Sequence, residues 1–240
     1  MIFAAGLGTR LKPLTDTMPK ALVRVGEQPL LWHVIMRLKA VGVERIVVNV
    51  HHFAWQIVDY LKANGHFGLD LRISDESQQL LDTGGGIKKA RTLFDTSEPV
   101  LIHNVDILSN ADLSSLFTGG NRQQQPRPDA LLLVSRRTTT RYLQFDGDMR
   151  LVGWKNETTG QVRGIEGRPL AFSGIHLLHP SLFPLMDQLP DRFPIMDFYL
   201  SHCSDCLLMG VEDPALQLMD VGKADTLDAA ELFLERLSKK

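Results

Sequence analysis

The sequence predicts an α/β fold built on a mainly parallel sheet, flanked by helices and carrying a small antiparallel β insert. Three observations lead there. Short apolar runs of strand length alternate with segments of helical period through the first half of the chain. A glycine-rich turn, Gly6-Leu7-Gly8, directly follows the first of those runs. Between residues 141 and 168 the pattern changes to short strands around Asp146-Gly147-Asp148 and Thr159-Gly160, turn signals that favour hairpins.

Taken in order, residues 1–5 form an apolar first strand that ends at the glycine turn. Leu30, Val34, Leu38 and Val41 then share one helical face, and Gly42 supplies a C-terminal stop. Residues 45–50 read as a buried strand, 53–63 as a helix ending near Gly65, and 69–74 as the next strand. A helix over 85–94 and a strand over 99–104 continue the alternation, the strand running straight into Val105-Asp106. Residues 119–129, rich in Gly, Gln and Pro, are a polar loop. Residues 130–135 resume as a buried strand and 207–211 as another. A last strand over 216–221 leads into a helix with Leu227, Ala230, Leu234 and Leu237 on one face.

Composition narrows the partners. At 240 residues the chain can bury a substantial core, and 44% hydrophobic residues is ordinary for a globular protein. Lys and Arg number 26 against 28 Asp and Glu, a net charge of −2, which gives no global field for nucleic acid. No apolar run approaches the roughly 18 residues of a membrane span, and no basic region precedes the apolar start. Small-molecule partners and a cytoplasmic location are expected. Cys203-Ser204-Asp205-Cys206 lacks the further ligands of a zinc site and leads into a strand, so two reduced thiols are expected there.

The chemistry concentrates at the first turn. Without Cβ atoms, backbone N–H groups near Gly6 and Gly8 can approach a phosphate chain. Arg10 offers a planar charged fork for phosphate oxygens and Lys20 a point charge, so two cations of different geometry suit two phosphates. Asp106 and Asp220 each end a predicted strand, where open α/β sheets place ligands, and two such carboxylates can share one Mg²⁺. Asp82-Thr83-Gly84-Gly85-Gly86 opens a helix, where glycines could admit a flat ring. A dinucleotide-binding G-x-G-x-x-G is not met, since Leu11 and Lys12 stand where the third glycine would be expected.

The run from Ala4 to Thr15, followed by Met18-Pro19-Lys20, closely resembles the G-x-G-T-R-x-x-P-x-T-x-x-x-P-K signature of sugar-1-phosphate nucleotidylyltransferases. The resemblance extends from residue 2 to about residue 230 and is weakest in the middle. It implies a Rossmann-like nucleotidyltransferase sheet in a single domain over residues 1–240, with a nucleotide-binding part over about 1–118 and a sugar-binding part over about 129–240. By resemblance, Ala5, Gly6, Gly8 and Thr9 bind the nucleotide, Arg10 and Lys20 are catalytic, and Asp106 and Asp220 hold Mg²⁺. His103-Asn104-Val105-Asp106 is similar to the family's strand-end motif, which places Asn104 beside the sugar phosphate, and Asp220-Val221-Gly222 matches its Asp-x-Gly.

Residues 82–86 resemble the family's Leu-Gly-Thr-Ala-Gly loop, with Asp82 where the first Gly is usual. Thr83 and Gly84 would hold the nucleobase together with Glu76, which stands where Gln is common and leaves the base unassigned. Phe172-Ser173-Gly174-Ile175 resembles the sugar-pocket segment, where Ser173 offers a hydroxyl and Gly174 room for a pyranose. Lys155 stands in for the Lys of a Glu-Lys-Pro motif that contacts the sugar phosphate, with Trp154 and Asn156 replacing its neighbours. Met196-Asp197, in the following helix, could lie near the pocket, although a solvent-facing Asp is the commoner case.

The implied partners are a nucleoside triphosphate and a sugar 1-phosphate, with neither membrane nor nucleic acid, in a monomer or homodimer. The implied reaction is in-line attack by the sugar 1-phosphate on the α-phosphorus. A phosphate oxygen is already negative and needs no general base, so alignment and charge neutralisation remain for the protein. A catalytically silent nucleotide-sugar sensor has no need of both carboxylates and the pyrophosphate cation. A nicotinamide oxidoreductase would need an acidic residue where the second strand ends in Asn49-Val50-His51.

Overall fold

The computed structural model describes residues 1–95, 97–119 and 126–238. Most of the polar loop expected over 119–129 therefore lies outside the described residues.

Fourteen strands and seven α-helices are described. The first strand, β1 (Ile2–Phe3), is shorter than expected because its neighbours define it: it pairs in parallel with β4 (Arg45–Val50) on one side and β6 (Val100–Asn104) on the other. A small hairpin, β2 (Arg24–Val25) and β3 (Gln28–Pro29), leads into α1 (Leu30–Ala40). Beyond β4 come α2 (Ala54–Ala63), β5 (Asp70–Asp75) and α3 (Asp82–Ala90). After β6 follow β7 (Ile107–Ser109), α4 (Leu113–Gly119) and β8 (Ala130–Ser135). The insert is β9 (Arg141–Phe145), β10 (Leu151–Asn156) and β11 (Val162–Gly164), antiparallel as expected, and it joins the long β12 (Arg168–Leu178). The chain closes with α5 (Phe183–Asp187), α6 (Ile195–His202), β13 (Leu208–Glu212), β14 (Leu218–Asp220) and α7 (Leu227–Ser238).

The ten-stranded main sheet runs β11-β10-β9-β12-β6-β1-β4-β5, with β8 paired to β12 and β13 parallel to β8. β5, β4, β1 and β6 are its parallel block. Period-2 alternation divides the core between the two faces. Ile46, Val48 and Val50 face α1, α2 and α7 in one cluster, whereas Val47, Val100 and Ile102 pack with residues of α3, α5 and α6 in the other.

Three boundaries differ from expectation. α3 begins at Asp82, three residues before the expected Gly85, and passes into a 3₁₀ turn at Arg91–Leu93. β7 was not expected, because three apolar and small residues are too short a run to register. β14 is half the expected strand and leaves the main sheet to pair only with β7. Cys203 and Cys206 are free, as expected, and burial raises both thiols.

Two histidines in the core make stability depend on pH. His103 on β6 is fully buried with only Nδ1 hydrogen-bonded, to the Asn104 carbonyl; His176 on β12 has no partner for either ring nitrogen among the described residues. Burial lowers them to about 4 and about 3 respectively, so both are neutral in the fold. The unfolded chain protonates them near 6.5, so as the pH falls below that value folding loses up to about 1.4 kcal/mol per histidine per pH unit. The urea midpoint is expected to be lower at pH 5.5 than at pH 7.5, with a smaller drop in His176→Leu. An equal drop in that variant would mean that His176 does not contribute.

Candidate active site

The cleft opens where β1 and β6 end, and the position of each wall follows from local chemistry. Asn49, a polar side chain in the apolar β4, fixes the start of the glycine loop. Its Oδ1 accepts the Ala4 N–H at 2.7 Å while its Nδ2 donates to Glu76 Oε1 at 2.7 Å. Gly8 takes a φ of 64°, and a Cβ there would lie 2.8 Å from Thr15 Cγ2. The loop is folded back on Thr15, whose Oγ1 donates to the Gly8 carbonyl at 2.8 Å. Around Gly6, by contrast, no described atom lies within 4 Å of the Cβ position, so its backbone is approachable. Ala5, Gly6, Lys20, Thr83, Asn104 and Asp106 are among the residues lining a cavity of about 350 Å³. Thr9 and Arg10 form the exposed outer turn of the loop.

The two aspartates meet through β7 and β14. Their antiparallel ladder sets Asp220 opposite Ile107, and the Val221 N–H donates to the Asp106 carbonyl at 2.9 Å. Arg37, from α1, donates to the carbonyls of Ser109 and Ala111 and, at 2.8 Å, to Ser109 Oγ, which pins the far end of β7. Lys20 forms an ion pair with Asp106. Arg10 and Asp220 both lie against Gly222, where a Cβ would stand 2.7 Å from Arg10 Nη2 and from Asp220 Oδ1. Loss of hydration in the cleft and then the Asp106 charge raise the Asp220 carboxyl, while Lys20, Arg10 and Arg137 oppose that rise.

Two carboxylates held together against their repulsion fit a divalent cation. Among the described residues no group of three or more His, Cys, Asp and Glu could hold a metal. A pair of this kind suits Mg²⁺, which completes its shell with water and substrate phosphates. Asp106 and Asp220 would hold it.

On the base side of the cleft, the Cβ positions of the α3 glycines are taken up by protein. A Cβ on Gly84 would sit 2.2 Å from the Phe193 ring, one on Gly85 2.0 Å from the Asp191 carbonyl oxygen, and one on Gly86 2.8 Å from Glu76 Oε1. The Gly84 N–H is taken by the Phe193 carbonyl at 2.9 Å, and Thr83 Oγ1 accepts the Ile195 N–H at 2.9 Å. Glu76 is fully buried, its Oε2 accepting the Leu81 N–H at 3.1 Å, and burial raises its carboxyl. It braces β4 against α3 and is also among the residues that line the cavity.

On the sugar side, Gly174 (φ 79°) sits in the irregular stretch of β12 between Phe172 and His176. Its Cβ position lies 2.7 Å from the Asn104 amide nitrogen, so the glycine seats Asn104. Ser173 is buried, with its Oγ accepting the Ile175 N–H at 3.2 Å. Lys155 lies 3.5 Å from Glu166 and 3.7 Å from Glu157, and Asp197 is paired with Arg163. Sequence reasoning missed Asn49, Arg37 and Arg137. Only Asn49 left a signal, as the single polar residue inside the strand Ile46–Val50.

A glycine loop after the first strand of a parallel block, with two cations and a carboxylate pair converging on it, defines an enzyme of phosphate-ester transfer. The chain belongs to the nucleotidyl transferase family, which matches residues 1–148. It is 35% identical over 240 residues, 98% of this chain and 96% of the relative, to N-acetylmuramate alpha-1-phosphate uridylyltransferase of Caulobacter vibrioides. It is also 35% identical to the enzyme of that name from Neisseria meningitidis, over 76% of each chain. Mannose-1-phosphate guanylyltransferase 1 of Arabidopsis thaliana is 28% identical over the whole of this chain and 66% of its own length. In fold, the chain is similar to UDP-glucose pyrophosphorylase solved with UDP-glucose, with a TM-score of 0.76 at 16% identity, covering 98% of this chain and 97% of that one. No helix among the described residues is long and apolar enough to cross a membrane.

Proposed function

We propose that the chain transfers a uridylyl group from UTP to N-acetylmuramate 1-phosphate, giving UDP-N-acetylmuramate and pyrophosphate in the recycling of cell-wall sugars. The observation that supports this reading most is the meeting of Asp106 and Asp220 beside the Gly6–Gly8 loop, in a chain 35% identical to two uridylyltransferases of that specificity.

The sugar phosphate supplies its own nucleophile, so the residues align two anions and offset their charge. The backbone of residues 6–9 and the Arg10 fork receive the β- and γ-phosphates and stabilise the leaving pyrophosphate. Lys20 neutralises charge near the α-phosphate, and its pairing with Asp106 keeps its ammonium on that side of the cleft. Bound Mg²⁺ would supply Lewis-acid polarisation of the phosphoryl oxygens. In this reading Asn104, seated by Gly174, orients the sugar phosphate, and Thr83, which lines the cavity, borders the base. Ala5 and Thr9 complete the loop.

Arg10→Ala is expected to lower turnover on the order of 10²-fold, the loss typical of one transition-state donor, with an unchanged unfolding midpoint. Wild-type kinetics would remove Arg10 from the site. The specificity is tested by pyrophosphate release with Mg²⁺ across UTP, GTP, CTP, ATP and dTTP against the 1-phosphates of N-acetylmuramate, N-acetylglucosamine, glucose and mannose. Release with UTP and N-acetylmuramate 1-phosphate is expected. Release confined to GTP with mannose 1-phosphate would move the assignment to guanylyl transfer.

A further inference from the structure

We propose that Arg137, and not Lys155, is the cation that receives the phosphate of the sugar 1-phosphate, an inference that rests on the transfer reading above. Several cations around the insert and β12 are occupied by carboxylates. Arg136 and Arg168 reach the two oxygens of Glu212 at 2.7 and 2.6 Å, and Arg163 pairs with Asp197. Lys155 stands between Glu166 and Glu157, so a phosphate arriving at its ammonium would meet two carboxylates.

Arg137 differs in three respects. It has no carboxylate within 4.0 Å among the described residues, and it is solvent-exposed. Its Nη2 donates to the Phe172 carbonyl at 2.8 Å, which fixes the guanidinium while leaving N–H groups over for a second ligand. Its positive charge and the negative charge of Asp220 act on one another across the site. Phe172 also begins the irregular stretch of β12 in which Gly174 seats Asn104, two residues before Asp106. Arg137 is therefore held through Phe172 to the strand stretch that seats Asn104, where a guanidinium can bind two oxygens of a phosphate in a fork.

The test measures kcat and separate KM values for UTP and N-acetylmuramate 1-phosphate in Arg137→Gln, Arg137→Lys and Lys155→Gln, with a calorimetric Kd for the sugar phosphate. Arg137→Gln is expected to raise the sugar-phosphate KM and Kd by about 10- to 100-fold, the loss of a charge-assisted contact, with the KM for UTP unchanged. Arg137→Lys should recover part of that loss, and Lys155→Gln should change little. The reverse ranking, or an equal rise in both KM values for Arg137→Gln, would overturn the proposal. A wild type inactive with every substrate pair would instead overturn the transfer reading, while the calorimetric Kd would still decide between Arg137 and Lys155.

Discussion

Asp106→Asn is expected to lose turnover by on the order of 10³-fold while remaining folded. The amide keeps the shape of the carboxylate but gives up the charge that binds a cation, and Lewis-acid stabilisation of a phosphoryl transition state is worth several kcal/mol, with each 1.36 kcal/mol a factor of ten in rate. The fold is expected to survive because the backbone contact that joins the two aspartates, Val221 N–H to the Asp106 carbonyl, does not involve the side chain. The ion pair with Lys20 is lost, so a small decrease in unfolding midpoint should accompany the kinetic defect. Asp220→Asn should produce a loss of the same order. Turnover at the wild-type level in either variant would remove that residue from the site.

Gly85→Ala is expected to have the largest effect on stability of any single methyl addition near the cleft. The added Cβ would stand 2.0 Å from the Asp191 carbonyl oxygen and 3.1 Å from the Asp191 carbonyl carbon, a collision with backbone that no rotamer relieves. Overpacking of this kind costs about 1–3 kcal/mol, and a chain of this size loses about 2–4 °C of midpoint per kcal/mol. The collision should also push α3 away from the loop carrying Phe193, displacing Thr83 at the cleft wall, so the KM for the nucleotide should rise as well. Gly6→Ala is the control: its Cβ enters open space, so stability should be unchanged while any close approach of phosphate to the backbone is weakened. Thermal unfolding of the two variants separates the roles, and a stable Gly85→Ala would show that the Asp191 loop yields without cost.

The elements that were legible in the sequence are those whose pattern is local. β4 and β8 occur over the expected residues because an unbroken apolar run in a strand covered on both faces has few other solutions. α1 and α7 follow from their apolar stripes. The glycine loop and its two cations were legible because they lie within twenty residues of one another.

What was illegible depends on distant partners. The start of α3 was obscured because Gly84, Gly85 and Gly86 look like a loop until the segments they pack against, Asp191 to Phe193 and Glu76, are known. The meeting of Asp106 with Asp220 depends on β7 and β14, three-residue strands that acquire meaning only by pairing with each other. That Gly174 seats Asn104 is visible only once β12 and β6 are paired. Arg137 gave no signal at all, since nothing in Arg136-Arg137 distinguishes the arginine bound to Glu212 from the one bound to the Phe172 carbonyl.

The most direct test of the account is which bond of the nucleotide breaks. Phosphorus NMR of the wild-type protein with Mg²⁺, UTP and N-acetylmuramate 1-phosphate should show the triphosphate signals replaced by pyrophosphate and a diphosphate diester, as cleavage between the α- and β-phosphates requires. Inorganic phosphate with UDP, or a spectrum that does not change, would contradict it.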